Sequence, residues 1–324
     1  MRLTTVLVTR KIPDAGMKML GKKCKVRLWE KDYPIPRQVL LKRAKGVAGI
    51  LCLLTDKIDK TVMDSAGPGL KVISTMAVGF DNVDVGEATR RGIFVANTPG
   101  VLTEATADLT WALILSLARR IVEGDCMMHA KKFTGWSPTL LLGADFCGAT
   151  IGVIGMGRIG KAVARRATGF GMKVIYHDAN RLPAGLEKSI PAQFMPLKRV
   201  ISESDFISLH CPLNQDTYHL IGEKEFSMMK KSAYLINVAR GPVVDEKALV
   251  LALRSKKIAG AAFDVYEHEP KLAPGLASLK NVVLAPHLGS ASIQTRNKMA
   301  IMAAQNLLSG LQGKKPRWCV NPYL

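Results

Sequence analysis

The sequence predicts an α/β protein built of two doubly wound parallel-sheet units, and three observations carry that prediction. Short β-branched runs alternate with helix-length segments along the chain, the pattern of parallel strands joined by crossover helices. A Gly-x-Gly-x-x-Gly turn, Gly155 to Gly160, falls between an apolar run and a helical stretch. With 324 residues, 48% of them hydrophobic and 22% charged, the chain is long enough for two buried cores and lacks the polar excess of a disordered protein.

Taken in order, the first unit has strands expected at Thr5 to Thr9, Gly49 to Leu54, Val72 to Met76 and Phe94 to Ala96, with helical segments such as Gln38 to Ala44 between them. Asn97-Thr98-Pro99-Gly100 is turn chemistry. Thr103 to Arg120 then reads as a long helix, because Glu104 near its start and Arg119-Arg120 at its end both complement the helix dipole. The second unit opens with Thr150 to Ile154 and continues through Lys173 to Tyr176, Phe206 to His210, Tyr234 to Val238, Gly260 to Asp264 and Val282 to Ala285. Those six runs make one doubly wound sheet. Ser290 to Leu311 is a last long amphipathic helix, and no repeat of solenoid period is visible.

Composition narrows the function classes. The most apolar stretch, Leu109 to Ala118, is about half of the ~20 residues a membrane helix needs. The N-terminus has neither a long apolar core nor a small-residue cleavage site, so a cytoplasmic protein with no membrane partner is expected. Six cysteines without a Cys-x-x-Cys pair indicate no metal site and no disulfide framework. The formal net charge is +20, and residues 1–50 alone carry thirteen Lys and Arg against three acids. Such a block is open to three readings: a nucleic-acid footprint, a solvated face, or a field that attracts small anions. With aromatics at 6% and no basic-aromatic interleaving or helix-turn-helix pattern, nucleic acid is disfavoured as a partner.

The glycine turn carries the first chemistry. Gly155 permits the tight turn, Gly157 lets backbone approach a pyrophosphate, and Gly160 allows close helix-sheet packing, while the following helix offers its N-terminus to phosphate. A bare glycine turn is the alternative, and the next strand weighs against it. That strand ends in Asp178, where an acid accepts hydrogen bonds from an adenosine ribose and repels a 2′-phosphate. NAD(H) is therefore favoured, and nearby Arg181 leaves NADP(H) open.

Three ionisable residues sit just past successive strands of the second unit: Arg240 in Asn237-Val238-Ala239-Arg240-Gly241, Glu269 before Pro270, and His287 after Pro286. Singly, each has a plain alternative as a surface charge, a turn acid or a satisfied histidine. Together, at the carboxyl ends of one sheet beside a dinucleotide turn, they supply an anion clamp, a tuner and an acid for carbonyl reduction.

Several segments in this order make the chain resemble the D-isomer-specific 2-hydroxyacid dehydrogenases, and most closely their glyoxylate and hydroxypyruvate reductase branch. They are Val78-Gly79-Phe80-Asp81-Asn82-Val83-Asp84, Leu102 to Asp108, Gly155 to Gly160, His210-Cys211-Pro212-Leu213, Asn237 to Gly241, Glu269-Pro270 and Pro286-His287-Leu288-Gly289-Ser290. The resemblance implies a Rossmann cofactor domain, residues 99–287, inserted into a flavodoxin-like substrate domain, residues 1–98 and 288–324, with a hinge near 98 and 288. It implies reduction of a small 2-keto acid to the D-2-hydroxy acid at the expense of NAD(P)H. His287 would be the general acid, Glu269 its partner, and Arg240 the holder of the substrate carboxylate.

For the cofactor the resemblance adds Thr106, Arg158, Ile159, Cys211, Pro212, Thr217, Val238, Asp264, His287 and Gly289 to the three glycines and Asp178. For the substrate it adds Leu54, Val78, Gly79, Ser290 and Arg296, together with Trp136 from the neighbouring subunit of a homodimer. Other readings remain: dehydrogenation of a lactate- or phosphoglycerate-type acid, and a dinucleotide-sensing corepressor-like protein. On this domain plan most of the positive charge falls in the substrate domain, as a field that takes up a carboxylate.

Overall fold

The computed structural model describes residues 3–321. The chain divides into two compact units, one of Met1–Leu102 with Ala291–Leu324 and one of Thr103–Ser290. The elements in chain order are β1 (Thr4–Val8), α1 (Asp14–Gly21), β2 (Cys24–Leu28), α2 (Arg37–Ala44), β3 (Gly49–Cys52), α3 (Lys60–Ala66), β4 (Val72–Thr75), α4 (Val85–Arg90), β5 (Phe94–Ala96), α5 (Thr103–Ala118), α6 (Ile121–His129), β6 (Thr150–Ile154), α7 (Arg158–Gly169), β7 (Lys173–His177), α8 (Ala184–Ser189), β8 (Ala192–Phe194), α9 (Leu197–Glu203), β9 (Phe206–Leu209), α10 (Glu223–Met228), β10 (Tyr234–Asn237), α11 (Glu246–Arg254), β11 (Gly260–Phe263), β12 (Val282–Leu284) and α12 (Ile293–Leu311). No helix among the described residues is long and apolar enough to cross a membrane.

In the first unit five parallel strands run in the order β2-β1-β3-β4-β5, the flavodoxin-like arrangement. The strands are buried on both faces, which is why they read as continuous apolar runs instead of alternating ones. Leu7, Ile50, Ile73 and Val95 form one core with Leu40, Val62 and Met63 from α2 and α3. On the other side α12 packs tightly enough that a Cβ on Gly310 would lie 2.5 Å from Val72. Strand β2 escapes the sequence pattern because it is an edge strand carrying Lys25 and Arg27 among its five residues.

Much of the positive charge of this unit gathers at one edge of the sheet, although Arg10, Lys11, Lys31 and Lys57 follow strands at the other. Lys22 and Lys23 lie between α1 and β2, Lys45 between α2 and β3, Lys71 before β4, and Arg90 and Arg91 before β5. Each of these turns leads into a strand, so they share the amino-terminal edge of the parallel sheet. Lys314 and Lys315 follow α12, whose Leu311 packs near Gly49 at the start of β3, so they lie toward the same edge. At the ends of α1, α2 and α4 the cations complement helix dipoles. The opposite, carboxyl edge carries Leu54, Val78 and Gly79.

In the second unit seven parallel strands run β12-β11-β10-β9-β6-β7-β8, where the sequence pattern shows six. The seventh, β8, is a three-residue edge strand, Ala192–Phe194, with no β-branched residue to mark it. Neighbouring residues face opposite cores: Ile236 joins Phe206, Ile151 and Trp111 on the side of α5 and α7, while Leu235 joins Ile207 and Leu249 on the side of α11. The order reverses between β6 and β9, whose carboxyl ends flank the crevice where a doubly wound sheet binds ligands.

Candidate active site

The glycine turn leaves β6 and enters α7. Gly155 has φ +94°, and a Cβ there would lie 2.4 Å from the backbone nitrogen of Cys211. Gly160 is equally constrained, since its Cβ would lie 2.1 Å from the Gly155 carbonyl oxygen. Both positions require glycine. Gly157 differs: it is the exposed N-cap of the twelve-residue α7, and a Cβ there would project into open space. The N–H groups of Arg158 and Ile159 in the first turn of α7 have no side-chain cap in front of them. A helix N-terminus with open room before it fits a diphosphate.

Asp178, just past β7, closes the turn from the other side. Its carboxylate accepts the Met156 N–H at 2.6 Å and the Asn180 N–H at 3.0 Å. Arg181 is held elsewhere, in a two-point ion pair with Glu187 and over the ring of Phe194. Cys211 follows β9, and burial pushes its thiol up to about 11, so it stays neutral at ordinary pH. The Thr217 hydroxyl donates to the Pro212 carbonyl at 2.6 Å and folds the exposed loop after Cys211 on itself. Val238 is buried at the end of β10.

Around the end of β11, the Asp264 carboxylate is 1% exposed and accepts the N–H groups of Leu288 and Gly289 at 2.6 and 2.8 Å. Burial pushes its carboxyl up, against those two hydrogen bonds and the charge of His287. The Thr106 hydroxyl on α5 donates to the Gly289 carbonyl at 3.0 Å. Thr106, Asp264 and the 287–289 turn are therefore one knot, which fixes His287 in a left-handed conformation at φ +56°. A non-glycine residue keeps that conformation only where its surroundings enforce it. The His287 N–H, donating to the Asp264 carbonyl at 2.9 Å, is part of that enforcement.

His287 Nδ1 lies 3.0 and 3.2 Å from the two oxygens of Glu269. Burial alone would lift the Glu269 carboxyl. The hydrogen bond and charge of His287, the Tyr266 N–H at 3.1 Å and the charge of Arg240 outweigh it and hold the group below the ordinary carboxylate value. Glu269 is thus ionised at neutral pH. Arg240 is half-buried, with its Nη1 donating to the Ala239 carbonyl at 2.8 Å.

The sequence pattern did not show what holds these groups. Asn237, fully buried, donates to the Arg240 carbonyl and accepts the Ala239 N–H, shaping the loop that presents Arg240. Glu246 accepts the N–H groups of Glu267 and Ala273 across the turn that carries Glu269. Tyr266 anchors the same turn through its hydroxyl, which donates to the Ala285 carbonyl at 2.9 Å. An acid at the first position of an amphipathic helix, as Glu246 is, reads in sequence as dipole complementation and nothing more. No cluster of His, Cys, Asp or Glu suited to a metal ion occurs among the described residues.

The remaining sequence-predicted residues fall on other segments of the chain. Ser290 ends the second unit, and Arg296 lies on α12 in the first. Leu54, Val78 and Gly79 follow β3 and β4 of the first unit. Trp136 is 84% exposed in the segment after α6, a helix with no buried residue.

Comparison with known proteins agrees with this geometry. Residues 111–289 match the model of the D-isomer specific 2-hydroxyacid dehydrogenase NAD binding domain. The chain is 49% identical over 320 residues to the glyoxylate reductase of Thermococcus litoralis, covering 98% of this chain and 96% of that protein. It is 50% identical to the glyoxylate reductase of Thermofilum pendens, covering 98% and 94%. Among solved structures, the NADPH-dependent glyoxylate/hydroxypyruvate reductase of Sinorhizobium meliloti, in complex with NADP and malonate, superposes with a TM-score of 0.87 at 31% identity, over 98% of each chain. A full-length match at this identity makes the chain a member of the D-isomer-specific 2-hydroxyacid dehydrogenase family.

Proposed function

We propose that the protein reduces a small 2-keto acid, glyoxylate or hydroxypyruvate, to the D-2-hydroxy acid with NAD(P)H. The observation that carries this reading is the Glu269–His287 pair at 3.0 Å, set at the carboxyl edge of a sheet whose glycine turn fits a dinucleotide. Thr103–Ser290 serves as the cofactor domain and the remainder as the substrate domain. The bound nicotinamide supplies the hydride. With Nδ1 engaged by Glu269, Nε2 of His287 is the nitrogen that gives its proton to the keto oxygen. Arg240 grips the substrate carboxylate with its planar fork. The N–H groups of Val78 and Gly79 add further donors, Leu54 adds an apolar wall suited to a short side chain, and Ser290 and Arg296 add polar contacts.

NADH is the preferred reductant. Asp178 repels a 2′-phosphate, and Arg181, which would attract one, is committed to Glu187. Exposed Ile121 and Met128 of α6, with Phe133, Trp136 and Leu142 after it, form an apolar surface that suits a second copy of the chain, so a homodimer is assigned, with Trp136 bordering the partner's site. Six free cysteines agree with a reducing cytoplasm. The test is steady-state reduction of glyoxylate, hydroxypyruvate and pyruvate with NADH and NADPH. Turnover of the first two with higher kcat/KM for NADH is expected. Absence of turnover with every pair overturns the assignment.

A further inference from the structure

A backbone N–H binds an anion only if something holds its peptide plane, and the loop after β4 shows what does so. The peptide joining Val78 to Gly79 is trans, so its carbonyl and its N–H point in opposite directions. Fixing one therefore aims the other. The Val78 carbonyl accepts a hydrogen bond of 2.7 Å from the carboxamide of Asn97, which is 7% exposed and follows β5, the strand beside β4. Asn97 is itself held at both ends of its backbone. Its N–H donates to the Trp318 carbonyl at 3.2 Å, and its carbonyl accepts from Asn306 Nδ2 on α12 at 2.9 Å. The next peptide upstream is fixed as well, since the Ala77 carbonyl accepts the Thr98 N–H at 2.8 Å.

The outward side of this peptide is different. Neither the Val78 nor the Gly79 N–H donates to an acceptor among the described residues, although both residues are half-buried. Both donors are therefore open to an acceptor from outside the chain. The brace is a neutral carboxamide, so it acts through geometry and adds no charge of its own.

We propose that Asn97 is a positioning residue for substrate binding: by holding the Val78 carbonyl, its carboxamide aims the Gly79 N–H at the carboxylate of the 2-keto acid. The inference rests on the function proposed above and adds to it the residue that makes the backbone donor. Asn97 touches neither substrate nor cofactor. Its removal therefore weakens recognition of the carboxylate and leaves nucleotide binding alone.

The test compares the parent enzyme with Asn97→Ala and Asn97→Asp. KM for glyoxylate and the inhibition constant of oxamate, which carries the same carboxylate next to a carbonyl, are expected to rise together by about tenfold, the loss of one hydrogen bond's worth of orientation. KM for the nucleotide and kcat are expected to stay within about twofold of the parent. Asn97→Asp preserves the side-chain volume but turns an oxygen toward the Val78 carbonyl, so it is expected to be at least as impaired. Should the alanine variant not fold, the aspartate variant decides on the same readouts. An unchanged KM and oxamate constant overturn the inference, and so does a joint shift of both KM values and kcat, which marks a merely structural residue. A parent enzyme that does not reduce glyoxylate overturns the proposed function instead, independently of the variants.

Discussion

The two units carry different kinds of groups at their carboxyl edges. The carboxyl edge of the second unit presents charged side chains, Arg240, Glu269 and His287, each set by buried polar groups. The carboxyl edge of the first presents backbone, with neutral carboxamides holding it: Asn97 on the Val78 carbonyl and Asn82 on the carbonyls of Leu53 and Asp56. The contrast separates chemistry from recognition. Proton transfer needs groups that titrate, whereas holding a carboxylate in place needs only aimed donors.

The sharpest way to break that division is at His287. His287→Ala removes the proton donor and is expected to lower kcat/KM by about a thousandfold, within the usual range for loss of a general acid. A variant as active as the parent would place the acid elsewhere. Asp178→Ala addresses the cofactor side of the second unit. It removes the repulsion of a 2′-phosphate together with an acceptor for the ribose, so the NADPH-to-NADH ratio of kcat/KM is expected to rise by about tenfold or more. An unchanged ratio would show that Asp178 serves only the Met156 N–H.

Stability gives a smaller effect. Glu246→Ala leaves the N–H groups of Glu267 and Ala273 without acceptors and is expected to cost about 2 kcal/mol in denaturant unfolding, with kcat falling because Glu269 loses its framed turn. Loss of activity without loss of stability would contradict the framing role. Smallest of all is the effect of salt. Lys22, Lys23, Lys45, Lys71, Arg90 and Arg91 lie at the edge of the sheet opposite Val78 and Gly79, which the five residues of β1 separate by about 17 Å, well beyond the ~10 Å screening length at 0.1 M salt, while Arg10, Lys11, Lys31 and Lys57 after the strands are offset by Asp14, Glu30, Asp32, Asp56 and Asp59. Added salt is therefore expected to lower kcat/KM for glyoxylate by no more than about twofold. A steep fall would restore the anion-capturing field that the composition alone suggests.

The same contrast explains what was legible in the sequence. Ionisable residues at strand ends announce themselves, so Arg240, Glu269, His287 and the glycine turn are readable from residue type and position. The central strands are readable too, because burial on both faces makes them apolar runs. The edge strands β2 and β8 are not, since exposure on one side admits Lys25 and Arg27 or leaves only three residues. Nor are the braces. Asn97 sits in Asn-Thr-Pro-Gly, where turn chemistry accounts for an asparagine, and Asn237 or Glu246 gain their roles only through partners 2 to 27 residues away in sequence. The charge was legible as a quantity but not as a place, because only the order of helices and strands assigns each lysine to one edge.

The central claim is that a carboxylate-paired imidazole protonates the keto oxygen. Glu269 is held ionised by His287 and holds the imidazole in turn through Nδ1, so replacing it with a neutral amide removes the group that orients Nε2. The direct measurement is the pH profile of kcat/KM for glyoxylate reduction by the parent and by Glu269→Gln. The variant is expected to lose about tenfold or more in kcat/KM at neutral pH and to lack the acid-side fall that protonation of Glu269 causes in the parent. Equal kcat/KM at neutral pH in both proteins would contradict the account.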